Sequence, residues 1–248
     1  LADGAVERLG GLAAAHGGRG DDEVRPVALV GGLLGDHLGL GEAVVVERAV
    51  EIRLAGPGPG GARVATVAFD VSDPEEWESA ADRAEAELGP ISILCSNAGV
   101  NDGSGMTVGQ TPFAVWRWVQ SINLDAQFLG ATTFIPRMKA RGGRAHILNT
   151  ASMAGLLPLA VAAYSTSKFA SVGLSMVLRQ ELQGTGIGVS VLCPGAVATR
   201  IAETAEEAQA KMLGREPNDA VAEQITAMLA RGADPNRVGQ QVVEGMQQ

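Results

Sequence analysis

Cysteine, histidine and long apolar runs are scarce in this chain. The two cysteines, Cys95 and Cys193, both lie in apolar runs and indicate reduced core residues of a cytoplasmic protein. The three histidines, His16, His37 and His146, are scattered without the spacing of metal ligands, so no metal site is predicted. No apolar stretch reaches the roughly 18 residues of a transmembrane helix, and the N-terminus lacks the apolar segment of a signal peptide.

Positive charge is also in deficit. The 19 lysines and arginines are outnumbered by 28 aspartates and glutamates, which gives a net charge of −9. This balance disfavours nucleic acid or an anionic membrane as the main partner. The chain has 248 residues, of which 46% are apolar and 19% charged, and this indicates a single globular domain over residues 1–248.

From residue 62 onward, predicted strands alternate with predicted helices. Apolar runs predict strands at 62–69, 91–99, 144–152 and 187–195. Helical spacing predicts helices after Asp73, over about 112–139 and over 163–183. Continuous apolar strands that alternate with helices predict a doubly wound, Rossmann-like α/β fold, with a parallel sheet covered by helices on both faces.

Ligands of such sheets bind beyond the carboxyl ends of the strands. Small or hydrogen-bonding residues stand at the carboxyl ends of all four predicted strands, namely Asp70, Asn97, Ala98, Gly99, Thr150, Ser152, Pro194 and Gly195. Turns favour such residues in any case, but their presence at every strand end predicts a ligand site along this edge of the sheet.

The only tyrosine of the chain, Tyr164, lies in the segment AAYSTSKFASVGL (162–174), four residues before Lys168. This spacing places both side chains on one face of a helix. A nearby ammonium group favours the phenolate, so we expect the pKa of Tyr164 to be lowered, as suits proton exchange with an alcohol. Ser152 would donate a hydrogen bond to a substrate oxygen. Taken singly, these residues could equally be a surface aromatic, a solvated lysine and a turn serine.

Six motifs in order resemble the short-chain dehydrogenases/reductases over about residues 62–200. They are DVSD (70–73), NAGV (97–100), SINL (121–124), NTASMAG (149–155), YSTSK (164–168) and PGAVAT (194–199). The resemblance implies that a nicotinamide cofactor, NAD or NADP, exchanges a hydride with a small-molecule substrate.

The resemblance also implies residue roles. Tyr164 would be the general acid/base, Lys168 would bind the nicotinamide ribose and tune Tyr164, Ser152 would orient the substrate oxygen, and Asn123 would hold a water of a proton relay. Residues lining the cofactor would be Asp70, Val71, Asn97, Ala98, Gly99, Thr150, Tyr164, Lys168, Pro194, Gly195, Val197 and Thr199. Purely structural roles stay open for two of these residues, since Asn123 could hydrogen-bond to a neighbouring carbonyl and Asp70 could cap the next turn.

The glycine-rich residues 1–45 depart from this family. A GxxxGxG occurs at Gly35, Gly39 and Gly41, but it starts beyond the candidate strand 27–32 and leaves little room for a crossover helix before the apolar run 43–47. These glycines could form a phosphate cradle or a loose loop, and a reading-frame error upstream is a further hypothesis. Residues 47–56 resemble the family's second helix. If 43–47 is the second strand, Glu47 would bind the ribose 2′-OH, which favours NAD over NADP.

Two smaller departures concern the site and the C-terminus. Ser152 and Tyr164 are 12 positions apart, about one fewer than is usual in the family, which suggests a tightened loop. The final segment, VGQQVVEGMQQ, is helix-like, whereas the family usually adds another strand, so the last edge strand is expected to be missing.

The substrate-side helical region, 200–234, has no pair of basic residues that could clamp a charged group. With Met153, Leu156, Leu157 and Leu159 as an apolar wall, the sequence predicts a small uncharged secondary alcohol or ketone as substrate. Helices at 112–139 and 163–183 that are apolar on several faces predict a homo-oligomer, a dimer or a tetramer. The alternative is an inactive relative that serves as a binding or scaffold subunit because its phosphate loop is degenerate.

Overall fold

The computed structural model describes residues 27–30, 49–51, 67–102, 106–199 and 201–247. Gly35, Gly39, Gly41 and Glu47 lie outside these residues, so the predictions for the phosphate cradle and the ribose carboxylate are not addressed. The strands are β1 (Val27–Val30), β2 (Ala49–Glu51), β3 (Ala68–Asp70), β4 (Ile93–Ser96), β5 (Ala145–Thr150) and β6 (Ile187–Leu192). The α-helices are α1 (Pro74–Leu88), α2 (Phe113–Gln120), α3 (Ala126–Arg141), α4 (Ala162–Glu181), α5 (Ile201–Leu213), α6 (Asp219–Leu229) and α7 (Pro235–Gln247).

Four strands form a parallel sheet in the order β1-β4-β5-β6. Its two faces are covered by different helices. Met246 and Val242 of α7 pack on Ile93, Cys95 and Leu148, whereas Leu94 and Ile147 point into the larger core cluster. Burial on both faces explains why β4 is apolar along most of its length. The predicted doubly wound, Rossmann-like α/β fold is confirmed.

The prediction that 62–69 belongs to the parallel sheet is wrong. Ala68–Asp70 instead pairs antiparallel with Ala49–Glu51 in a separate two-stranded sheet, where Val50 lies opposite Phe69. The expected helix over 47–56 is wrong at the same place, because β2 lies within it. Short apolar segments are compatible with both helical and strand periods, and pairing with another strand then decides between them.

The helix predicted over 112–139 is continuous but not uniform. Between α2 and α3 the chain forms one turn of π-helix, Ser121–Asp125. This turn contains Asn123, and π-helical turns are frequent at functional sites. The helix predicted over 163–183 begins at Ala162 and ends at Glu181.

Helix α1 shows how local sequence fixes the elements that flank the sheet. Asp73 caps the helix by accepting a hydrogen bond of 2.9 Å from the Glu75 amide, and Pro74 occupies the first turn. Trp77 is buried and donates to the Val71 carbonyl at 2.9 Å. Its ring lies so close to Gly130 of α3 that a Cβ there would be 2.9 Å from the indole. These contacts lock α1 against α3.

The C-terminal segment is helical, as expected, and forms α7. In the described part of the chain, β6 is an edge of the parallel sheet and no strand pairs with its outer side. Among the same residues, no helix is long and apolar enough to cross a membrane.

Candidate active site

Tyr164 and Lys168 lie on the first turns of α4, at the carboxyl end of the sheet. Lys168 is buried, and its Nζ donates a hydrogen bond of 3.0 Å to the Thr150 carbonyl at the end of β5. The same Nζ lies 5.6 Å from the centre of the Tyr164 ring. The two side chains therefore share one helical face. The interpretation of Lys168 as a solvated surface charge does not hold.

Ser152 follows β5 and caps a short 3-10 turn, Met153–Gly155, with its Oγ accepting from the Ala154 amide at 3.1 Å. The Ser152 side chain also lies near enough to the Tyr164 phenol to lower its pKa. Gly155 allows the 3-10 turn to pack closely against α4, because a Cβ at this position would lie 2.5 Å from the Lys168 carbonyl oxygen. The 12-residue spacing thus still brings the two hydroxyl groups together.

Burial dominates the electrostatics of this pair. The pKa of Tyr164 is raised by desolvation, while the hydrogen bond from Ser152 acts in the opposite direction. The expectation that Lys168 lowers the pKa of Tyr164 is therefore wrong for the protein alone. The physical reason is that desolvation also lowers the pKa of Lys168 to about 8, and its ammonium is directed to the Thr150 carbonyl rather than to the phenol.

Asn123 is fully buried in the π-helical turn and uses its amide to hold the loop after β4. Its Oδ1 accepts from the Val100 amide at 2.8 Å, and its Nδ2 donates to the Val100 carbonyl at 2.9 Å. A further bond of 2.9 Å runs from Nδ2 to Ser167 Oγ on α4. Asn123 therefore does hydrogen-bond to nearby backbone, as the structural alternative predicted. Its contacts join the π-helical turn, the loop after β4 and α4. Its proposed water remains a prediction.

A row of buried serines on α4 was not predicted from the sequence. Ser167, Ser171 and Ser175 are spaced by four residues and lie on one buried stripe. Ser171 Oγ donates to the Asn123 carbonyl at 3.2 Å, and Ser175 Oγ accepts from Asn149 Nδ2 at 3.0 Å. The SxxxSxxxS spacing was visible in the sequence. Its partners were not, because they come from distant segments.

The loop after β4 provides a surface suited to a polar ligand. A Cβ on Gly99 would lie 3.4 Å from both Asn123 Oδ1 and Lys168 Nζ, so only glycine leaves this space open. Nearby in the chain, Asn97 Nδ2 is buried and has no hydrogen-bond partner among the described residues. Open space between hydrogen-bonding groups and an unused buried donor fit a nucleotide cofactor. Ala98 of the same loop is buried in the core.

The segment 194–199 follows β6 and borders the same space. The Pro194 carbonyl accepts from the Met153 amide at 2.8 Å, which links this segment to the 3-10 turn. A Cβ on Gly195 would be 3.9 Å from the Met153 side chain. Val197 forms a parallel bridge with Ala233, and Thr199 is half-buried. Across the described ranges, no group of three His, Cys, Asp or Glu could hold a metal ion.

Asp70 and Val71 are less clearly placed for a ligand. Asp70 Oδ1 accepts from the Ser72 amide at 2.9 Å and from Ser72 Oγ at 2.7 Å, the local turn contact that the alternative reading predicted. The Val71 side chain is 1% exposed and belongs to the core. Their contact with adenine therefore stays a prediction.

Comparison with known proteins assigns the family. The family model described as short chain dehydrogenase matches residues 41–210. A protein of Streptomyces exfoliatus named 1-deoxy-11-beta-hydroxypentalenate dehydrogenase is 44% identical over 140 residues, which cover 56% of this chain and 51% of that protein. This chain belongs to the short-chain dehydrogenase family.

Solved structures agree with this assignment. A short-chain dehydrogenase/reductase of Burkholderia phymatum, in complex with NAD, has a TM-score of 0.65 and 32% identity, covering 72% of this chain and 66% of that one. A structure from Beutenbergia cavernae with bound NADP has a TM-score of 0.57 and 32% identity, covering 74% and 69%. The chain spans about half the length of the Streptomyces exfoliatus dehydrogenase and of two further Streptomyces proteins of the same name that it matches.

Proposed function

We propose that this chain is an NAD(P)-dependent oxidoreductase acting on a small uncharged secondary alcohol or ketone. The observation that carries the proposal is the cluster of Tyr164, Ser152 and Lys168. The phenol lies near the Ser152 side chain, which lowers its pKa, and the lysine Nζ lies 5.6 Å from the centre of the phenol ring. A hydroxyl pair beside a buried cation can bind one oxygen and move its proton.

In this reaction the bound cofactor would accept or donate the hydride. The protein's residues do the rest. During reduction the neutral Tyr164 phenol donates its proton to the carbonyl oxygen and becomes a phenolate. During oxidation the phenol first gives up its proton, and the phenolate then takes the proton of the alcohol oxygen. The Ser152 hydroxyl holds the same oxygen and stabilises the phenolate. Lys168 has a pKa of about 8, so its amine can gain or lose a proton near neutral pH. It can therefore accept the proton that the phenol loses and later return it.

The cofactor is proposed to lie along the residues after β4, β5 and β6, with Asn97, Gly99 and Lys168 as its nearest polar contacts. The relatives of known structure include one with NAD and one with NADP, so the family precedent covers both. We favour NAD on the sequence argument from Glu47, with NADP possible.

The substrate side of the site is apolar. Met153, Leu156, Leu157 and Leu159 follow Ser152 and are exposed to between 39% and 58%, an unusual density of solvent-facing apolar side chains. Arg215, a cation of the substrate-side region, is committed to Glu206 at 2.6 Å. This pairing supports an uncharged substrate.

The wider organisation is proposed as follows. The chain acts as a single domain in which residues 200–234 flank the substrate, and it works as a homo-oligomer, a dimer or a tetramer. Large apolar side chains on α3 and α4 support this assembly, because Phe128, Phe169, Met176 and Val177 are exposed to between 42% and 66%.

A matched substrate panel tests the proposed specificity. Purified protein would be assayed with NAD and NADP against uncharged secondary alcohols and against hydroxy acids of similar size. The hydroxy acids belong in the panel because a relative's name denotes a hydroxylated acid. We expect at least a tenfold preference in kcat/KM for the uncharged alcohols. Preference for the acids would overturn the substrate class, and absence of any turnover would favour the scaffold alternative.

A further inference from the structure

Lys168 depends on a single hydrogen-bond acceptor. Its side chain is buried, and in the described part of the chain no carboxylate pairs with it. The one hydrogen bond of its Nζ goes to the Thr150 carbonyl, at 3.0 Å. The titratable groups that face the ammonium are Tyr164 on the same helix and Cys193 after β6. How firmly this lysine holds its proton therefore depends strongly on that carbonyl.

The same carbonyl has a second donor. Gln127 of α3 is 1% exposed, and its Nε2 donates to the Thr150 carbonyl oxygen at 3.2 Å. A carbonyl oxygen has two lone pairs, so it can accept both bonds. Each donor withdraws electron density from the same oxygen, and the amide hydrogens of Gln127 bring partial positive charge close to the ammonium. The amide and the ammonium therefore compete for one acceptor.

Packing alone does not account for a glutamine at this position. The bond to the Thr150 carbonyl is the only hydrogen bond that its side chain makes among the described residues, and Gln127 Oε1 is buried there without a partner. A buried acceptor that has no partner costs stability. An unbranched apolar side chain of similar length would fill the space without that cost. The contact with the carbonyl is what the glutamine adds.

We propose that Gln127 is a positioning residue for Lys168. It occupies one lone pair of the Thr150 carbonyl, fixes the direction of that carbonyl, and limits how strongly the carbonyl can hold the lysine ammonium. Release of the proton from Lys168 is thereby made easier. The proposal rests on the proposed function for its catalytic meaning, since there Lys168 accepts the proton of the phenol and returns it. The competition itself can be measured without cofactor or substrate.

The small number of lysines makes that measurement possible. The chain has three, and the other two, Lys139 and Lys211, are exposed and serve as internal references. Protein labelled with 13C at the lysine Cε gives three resonances, and the one lost in Lys168→Arg is that of Lys168. Gln127→Met removes the unpaired Oε1, so the variant is expected to fold, and it leaves the Thr150 carbonyl to the ammonium alone. The proton affinity of Lys168 should rise at least threefold, which moves its pKa upward from about 8 by about 0.5.

Gln120→Met is the matched control. Gln120 of α2 is also a buried glutamine, and its Nε2 donates to a different backbone carbonyl, that of Ala163, at 3.1 Å. Its replacement should leave the titration of Lys168 unchanged. The proposal is overturned if Gln127→Met leaves the pKa of Lys168 unchanged or lowers it, or if Gln120→Met raises it equally.

A second variant covers a failure to fold. Should Gln127→Met not fold, Gln127→Leu takes its place, because leucine also lacks a donor and is of similar volume, and the same threefold rise is required. If neither variant folds, Gln127 is needed for the fold itself and the proposal is overturned.

An enzymatic pH profile separates this inference from the proposed function. Alcohol oxidation needs Lys168 as the free amine, so kcat/KM should rise with pH through the pKa of this lysine. With any substrate that the panel identifies, Gln127→Met should move that rising limb to higher pH by about 0.5 and leave kcat at its optimum within about threefold. A loss of turnover at every pH with an unmoved limb would indicate a purely structural role and overturn the proposal. If no substrate is found, the proposed function fails while the lysine titration still tests the competition.

Discussion

Tyr164→Phe is expected to lower turnover by about 10²- to 10⁴-fold, the usual contribution of a general acid/base. The substitution removes only the phenolic hydroxyl, the group that Ser152 contacts and that would exchange a proton with the substrate. The ring and its place beside Lys168 stay, so affinity for the cofactor should change by no more than about threefold. Steady-state turnover and an equilibrium cofactor titration on the same preparation measure both quantities.

Thr166→Ala is the control for this experiment. Thr166 lies two residues further along α4, is exposed, and uses its hydroxyl only to bond the Ala162 carbonyl within the helix. Its replacement should leave turnover within about twofold. If Tyr164→Phe retained more than a tenth of the activity, the phenol would not be the proton-transferring group and the proposed mechanism would be wrong.

Gly155→Ala is expected to destabilise the protein by about 1–3 kcal/mol, the range for forcing an atom into a filled space. The added Cβ would meet the backbone of Lys168, at 2.5 Å from its carbonyl oxygen and 2.7 Å from its carbonyl carbon. Backbone cannot rotate away as a side chain can, so the 3-10 turn must withdraw from α4. Ser152 moves with the turn, and turnover should therefore fall as well. Chemical denaturation and a kinetic assay report the two effects.

Gly173→Ala, on α4 itself, is expected to have the opposite effect on stability. No atom lies within 4 Å of a Cβ at Gly173, which is exposed on α4. Alanine is the better helix former there and should stabilise the protein by about 0.5–1 kcal/mol. If both glycines responded alike, helix propensity rather than the contact with Lys168 would explain the effect at Gly155.

Much of this site was predictable from local spacing. The spacing of four positions from Tyr164 to Lys168 defines one helical face in any α-helix, and polar residues after parallel strands meet at one edge of the sheet. The parallel order of β4, β5 and β6 follows from the same alternation of apolar strands and helices. These features depend on short stretches whose meaning does not change with the rest of the chain.

Other features depend on partners distant in sequence. The raised pKa of Tyr164 arises from burial by residues that no spacing rule identifies, and it outweighs the lysine that the sequence places nearby. The antiparallel pairing of β2 with β3 was missed because three-residue strands carry too little pattern. Asp102 carries no signal in the sequence, and its complete burial becomes visible only in the folded chain.

The most direct test of the central claim is an equilibrium titration of the purified chain with NADH and then with NADPH, followed by nicotinamide fluorescence. We expect saturable binding of at least one of them, with NADH the tighter, and an undiminished signal in Tyr164→Phe. Failure of a folded preparation to bind either cofactor would contradict the assignment of the residues after β4, β5 and β6 as a nucleotide site.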